Sequence, residues 1–383
     1  MCKMRWYWIK ERIKLNDKPC YDKRNQQRLI KNAPYDNYDK VFNFENLFSA
    51  ALKCRRNVGW KGSVQNFMNE ALSNVAKLAD ELGNRNFKIT HKYNFTTYER
   101  GKLRRIQSVH IRERVVQRCL CDYCLTPILE PTFVYDNCAS QKNKGTHFAL
   151  QRLKRHLQKF YNQFGNNGYV LKFDIHDYFG TINRDRAMDM VKKYIYDTDI
   201  LNIIQLFLDE YTDPLGIGLG SQISQVLSLF YLSPVDHLIK DRLRMKYYVR
   251  YMDDGIIICN DKAQLEFVLA AIKDMLADFG LELSPKKTTI CKLSHITFLQ
   301  KRISLLENGR IVVKISRQSI TRERRKIKKL AAKWKSGEIE FRHLISSYKS
   351  WRGTALKFDS YATVQSMDEL FYRLVLEGDE YQK

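Results

Sequence analysis

The chain has 383 residues, 44% of them hydrophobic, and a formal net charge of +24. It can bury a large core spread over several subdomains, and its cationic surplus favours nucleic acid as a partner. No apolar run approaches the roughly 18 residues of a membrane span. Lys3, Arg5, Lys10, Arg12 and Lys14 leave no signal-peptide core, so intracellular residence is expected.

In chain order, Arg5–Lys14 interleaves aromatics with cations, suited either to stacking on single-stranded bases or to docking on the body of the protein. Pro34–Lys40 reads as a connector, and Gly101–Arg105 as a basic turn. Val115–Leu129 reads as a buried helix. Its Cys119, Cys121 and Cys124 lack paired Cys-x-x-Cys spacing, so they are expected to be structural thiols rather than zinc ligands. A polar loop, Tyr135–His147, precedes an apolar-periodic helix near Ala149–Phe160. Tyr169–Ile175 is a β-rich run with Asp174 near its end, followed by Tyr178 and Phe179 and a helix starting around Asn183. Gly216, Gly218 and Gly220 then lead into the apolar run Val226–Val235; glycines so clustered let backbone approach a ligand closely.

Tyr251-Met252-Asp253-Asp254 lies between two runs rich in Tyr, Val and Ile, which predicts a tight β-hairpin with the acids at its turn. Crowded carboxylates need a cation, and Mg²⁺ suits carboxylate oxygens with positions left open for phosphates. Two-metal phosphoryl transfer requires one more carboxylate from another segment, and Asp174 supplies it.

Phe173-Asp-Ile-x-x-Tyr-Phe, with Tyr251-Met-Asp-Asp beginning 77 residues after Asp174, resembles the palm of a reverse transcriptase. The resemblance implies an α+β right-hand polymerase fold. Residues 1–40 would be an N-terminal extension, 41–165 fingers with the start of the palm, 166–305 palm with interleaved fingers helices, and 306–383 a helical thumb. It makes Asp174, Asp253 and Asp254 the catalytic acids and metal ligands, for two Mg²⁺ ions with Mn²⁺ as a substitute. Phe179 takes the steric-gate position that excludes ribonucleotides. The segment ending Glu113-Arg-Val-Val-Gln117 resembles the fingers motif, with Glu113 replacing the usual Asp, and sets Arg104, assisted by Lys102, against the triphosphate. A guanidinium fork meets phosphate oxygens in pairs. Leu219, Gly220 and Gln225 fall in the nucleotide-side block, where Gly220-x-x-x-Ser224-Gln225 is the form seen in diversity-generating retroelements. Leu219 stands where relatives carry a Gln, which implies loose base selection. Lys287 matches the Lys near the leaving pyrophosphate, a candidate general acid. Thr297–Ile303 resembles the primer grip, with Gln300 in place of a Gly.

Arg310–Lys335 holds eleven Lys or Arg and one acid, Glu323. Ile320, Ile327, Leu330, Ala331 and Trp334 recur near helical spacing. By the likeness this is a thumb helix gripping template–primer through Arg322, Arg325, Lys326, Lys329 and Lys333. Gly337 is expected to end it, and Phe341–Phe358 to open a further helix pair.

The expected function is RNA-directed DNA synthesis, with dNTPs, a template or non-coding RNA and an RNA/DNA hybrid as partners, in a bacterial cytoplasm and without a membrane. The role is that of a diversity-generating retroelement enzyme with a small basic accessory protein, or of an antiphage defence enzyme with its own non-coding RNA. No segment resembles an RNase H, integrase or homing endonuclease, so a stand-alone polymerase is expected. An RNA-directed RNA polymerase is disfavoured by Phe179. A non-catalytic RNA-binding scaffold is disfavoured by three intact acids.

Overall fold

A computed structural model describes residues 27–376 apart from 91, 100, 101, 212 and 295. The aromatic-cationic segment Arg5–Lys14 lies outside the described residues. The elements follow in chain order: α1 (Phe44–Cys54), α2 (Ala71–Gly83), β1 (Lys92–Glu99), β2 (Lys102–Val109), α3 (Ile111–Leu120), α4 (Thr146–Phe164), β3 (Tyr169–Phe173) and α5 (Arg184–Val191). Then come α6 (Thr198–Asp209), α7 (Gln222–Tyr231), β4 (Tyr247–Tyr251), β5 (Asp254–Cys259), α8 (Lys262–Asp278), β6 (Thr289–Lys292), β7 (Ile296–Phe298), β8 (Lys301–Leu305) and β9 (Ile311–Ile315). Three helices close the order: α9 (Arg317–Lys335), α10 (Phe341–Ala355) and α11 (Tyr361–Leu376). Among the described residues no helix is long and apolar enough to cross a membrane.

Two compact units emerge, each assembled from three separate stretches. One takes residues up to Tyr135, His176–His237 and Met275–Glu282; the other takes Asp136–Ile175, Leu238–Asp274 and the residues from Leu283 on.

In the first unit α3 continues through a π-helical turn, Cys121–Leu125, into Thr126–Leu129. That run buries Val115, Val116, Leu120 and Leu125, with Cys119, Cys121 and Cys124 among them. All three are free thiols, and burial raises each well above its ordinary range, as expected for inert structural cysteines. β1 and β2 form an antiparallel hairpin in the register Phe95↔Ile106. α5 starts at Asn183, whose side chain accepts from Arg186 N at 2.9 Å; a short polar side chain there satisfies an otherwise orphan helix donor.

The second unit carries a four-stranded antiparallel sheet in the order β4-β5-β3-β6. Leu150, Leu153, Leu157 and Phe160 of α4, recurring at helical spacing, pack on Val170, Tyr247, Val249, Ile256 and Ile258. A separate three-stranded sheet runs β7-β8-β9. The β7–β8 turn is Leu299-Gln300, with φ of +47° and +62°. Two left-handed central residues are the signature of a tight hairpin turn usually built with Gly or Asn. So the hairpin forms without the glycine, and Gln300 bears the strain.

The basic stretch Arg310–Lys335 divides. Its β-branched start, Ile311-Val-Val, is strand β9, and the helix begins at Arg317 after Ser316, whose Oγ accepts from Ser319 N. Ile327 and Ala331 of α9 are buried against Leu344, Tyr348, Met367 and Phe371, with Ile320, Leu330 and Trp334 at the margin. The Tyr348 and Phe371 rings stack at 4.3 Å. Gly337, at φ +77°, follows the end of α9.

Candidate active site

β3 delivers Asp174 one residue past its end, 4% exposed. β3 and β5 pair at Phe173↔Gly255, a register that carried one residue further sets Asp174 opposite Asp254. Strand pairing thus joins acids far apart in sequence. A Cβ on Gly255 would come within 2.1 Å of the Phe173 ring, so only glycine lets the strands close beside the acids. The β4–β5 turn is Met252-Asp253, with Tyr251 paired to Asp254. Asp253 therefore sits in the turn, and Asp254 opens the strand.

Lys287 places its Nζ 2.6 Å from Asp174 Oδ1 and 2.7 Å from Oδ2. Burial works against the Lys287 charge, but Asp174, with Asp253 and Asp254 behind it, raises its pKa. Asp254 is pushed up to about 6: burial is the main cause, Lys172 opposes it, and Asp253 and Asp174 add to it. The expected acids and Lys287 are thus brought into one electrostatic group. Among the described residues no three His, Cys, Asp or Glu side chains are arranged as a set of metal ligands. The donor chemistry still fits a hard divalent ion. Three carboxylates repel one another, one with a raised pKa, and an ammonium already compensates Asp174.

The residues expected at the nucleotide belong to the first unit. Gln107 N donates to Leu219 O at 3.0 Å, attaching the segment to β2, which also carries Arg104. Lys102 opens the same strand. Gly220 has φ +117°, and a Cβ there would lie 2.6 Å from Gln107 O, so the approach of the two backbones demands glycine. Ile217 N donates to Phe179 O at 3.1 Å. The ring of Phe179 is half-buried, edge-on to Tyr178 at 5.6 Å. Ser224, 1% exposed, donates to Ile217 O and so braces the loop, whereas Gln225 is exposed. Gln107 of β2 and Phe179 are therefore both bonded to the 217–219 backbone.

Of the five cations expected on α9, Arg325, Lys326 and Lys329 are exposed. Arg322 donates to Gln300 Oε1 at 3.3 Å, Lys326 lies 3.8 Å from Glu323, and Lys333 pairs with Glu338.

Sequence reasoning missed Arg250, Asp136 and Lys172. Arg250 is 1% exposed and donates from Nη1 to Met252 O at 2.7 Å, inside the acid-bearing turn. A lone Arg within an apolar strand was the available signal. Asp136, 2% exposed, meets Arg152, His156 and Lys240; nothing local in sequence joins those four.

A carboxylate just past β3 thus faces a carboxylate pair at a strand–turn–strand hairpin. The reverse transcriptase (RNA-dependent DNA polymerase) family profile matches residues 90–306, more than half of the chain. The chain belongs to that family, and its fold class is α+β, the right-hand polymerase fold.

A Saccharomyces cerevisiae protein named for COX1/OXI3 intron 1 is 24% identical over 179 residues, 44% of this chain and 20% of that protein. The chain thus spans about a fifth of the length of that relative. Two solved structures are similar at lower identity. An apo telomerase from Candida tropicalis, truncated from its C-terminal domain, is 13% identical at a TM-score of 0.44, covering 58% of this chain and 55% of that one. A Candida albicans telomerase in complex with a fragment of telomeric RNA is 11% identical at a TM-score of 0.47, covering 79% and 58%.

Proposed function

We propose that the protein is an RNA-directed DNA polymerase that extends a primer 3′-hydroxyl with dNTPs on an RNA template. The observation that carries this reading is the pairing of β3 with β5, which sets Asp174 beside the Asp253–Asp254 hairpin inside the segment matched by the family. Asp174, Asp253 and Asp254 would hold the cofactor, Mg²⁺ with Mn²⁺ as a substitute. The chemistry supplied there by two such ions is a lowered pKa at the attacking hydroxyl and charge stabilisation at the leaving phosphates. Lys287, already beside Asp174, donates a proton toward the leaving pyrophosphate. Arg104 with Lys102 takes the triphosphate, Phe179 excludes the 2′-hydroxyl, and the backbone at Leu219 and Gly220 lies against the nucleotide. Arg322, Arg325, Lys326, Lys329 and Lys333 of α9 follow the phosphates of the RNA/DNA hybrid, the helix acting as part of a thumb.

For biological role we propose a diversity-generating retroelement enzyme in a bacterial cytoplasm, working with a small basic accessory protein. The Gly220-x-x-x-Ser224-Gln225 form supports this, with Leu219 relaxing base selection. Sequencing of nucleic acids copurifying with wild-type protein and with Asp253→Ala/Asp254→Ala tests both levels. A discrete RNA with complementary DNA in the wild type alone is the expected result. Scattered mismatches support the diversifying role, and short or repetitive products replace it with antiphage defence. No DNA from either protein would leave an RNA-binding scaffold.

A further inference from the structure

Met252 sits at φ +55° in the acid-bearing turn. A left-handed backbone is strained for a non-glycine residue, so such a turn persists only where its surroundings over-determine it. Three sets of contacts do so here. Within the turn, Arg250 Nη1 donates to the Met252 carbonyl at 2.7 Å, from a guanidinium on a residue 1% exposed. Along β4, Arg250 N donates to Asp136 O at 3.0 Å, and Cys138 N donates to Arg250 O at 2.9 Å, so 136–138 adds a short parallel bridge to the strand edge.

Behind that bridge the Asp136 carboxylate is fixed from three directions. Lys240 Nζ lies 2.9 Å from Oδ2 and His156 Nε2 3.1 Å from Oδ1, and Arg152 Nε donates to Oδ1 as well. Burial opposes its ionisation, and the hydrogen bonds with His156, Arg152 and Lys240 outweigh that and hold the carboxyl well below its usual range. Arg152 and His156 stand one helical turn apart on α4, the helix whose apolar face packs on β4.

We propose that Asp136 and Arg250 are positioning residues for the Asp253 carboxylate, anchoring the β4–β5 turn to α4 so that it presents this acid in one conformation. Neither side chain needs to touch substrate. The proposal rests on reading Asp253 as a catalytic acid, but its first readout is independent of catalysis.

The test is amide hydrogen exchange of peptides spanning 247–259, with single-turnover primer extension, on Arg250→Lys, Asp136→Asn and Lys240→Met. Arg250→Lys keeps the charge and loses the fork that reaches the Met252 carbonyl. Lys240→Met removes one partly exposed partner of Asp136, and gives a folded variant should the other two fail to fold. The expected result is faster exchange in 247–259 with helices α9–α11 unchanged. The rate of extension falls by about 10²-fold in Arg250→Lys, as a misplacement on the scale of 1 Å would cause, while KM for dNTP and affinity for primer–template hold. Unchanged exchange in 247–259 would overturn the proposal, as would acceleration spread evenly over the chain. Wild-type protein that makes no DNA would defeat the polymerase reading, yet the exchange data would still decide whether the anchor exists.

Discussion

Lys287 spans both carboxylate oxygens of Asp174, at 2.6 and 2.7 Å, while the Asp174 carbonyl accepts from Ser284 N at 2.7 Å. One residue thus fixes the 284–287 segment by backbone and by side chain. Asp174 is buried and Lys287 is 44% exposed, so the ammonium acts as the carboxylate's counter-ion at the rim of the site. Lys287→Met should lower stability in metal-free buffer by about 1–2 kcal/mol, between an exposed pair and a buried one. Added Mg²⁺ should restore most of that loss, because a divalent ion can compensate the same carboxylate. Thermal melts with and without Mg²⁺ measure both. An equal Mg²⁺ response in wild type and variant would show that the ammonium and the ion do not share this carboxylate.

Much of this site was legible because short-range pattern carries it. Runs of Tyr, Val and Ile on either side of Met252-Asp253 specify a hairpin, and Asn183 marks a helix start with its own side chain. What local pattern cannot carry is pairing at long range. Asp136 meets Lys240 across more than a hundred residues, and both compact units draw on separated stretches of chain. Gln300 illustrates a different limit. Its position called for glycine, and only the backbone shows that the turn forms regardless, at φ +62°.

That turn gives a second expectation. Gln300→Gly should stabilise the protein by about 0.5–1 kcal/mol, the relief of a left-handed non-glycine residue less the added freedom of the unfolded chain. The long 3.3 Å bond from Arg322 to Gln300 Oε1 is lost in exchange, which trims the gain. Urea unfolding gives the sign. A destabilised variant would mean that the Arg322 contact outweighs the backbone strain.

Phe179 is held at both levels, its carbonyl by Ile217 N and its ring by Tyr178. Phe179→Ala should therefore leave the loop in place and remove only the bulk. Use of rNTPs relative to dNTPs should rise by roughly 10- to 200-fold, the range for one apolar contact in a specificity pocket. Competitive incorporation assays measure the ratio. Unaltered sugar discrimination would reassign Phe179 to simple packing.

In the helical bundle, Arg352 donates to both oxygens of Asp368, at 2.8 and 3.0 Å, and the Tyr348 hydroxyl donates to Oδ1. The Arg352 bonds are the largest cause of a carboxyl pKa held below its ordinary value; burial opposes them and the Tyr348 bond assists. A folded pKa below the unfolded one contributes stability above the unfolded value, about 3.9 for Asp, and loses it as pH falls through the folded value. Wild type should accordingly exceed Asp368→Asn in melting temperature at pH 6, with the difference shrinking below pH 4. The difference should also fall with salt, since Arg352 is well exposed. Melting curves from pH 6 to 3 test this directly. A gap that stays constant over that range would assign the effect of Asp368→Asn to altered hydrogen bonding with Tyr348 rather than to the charge that Arg352 compensates.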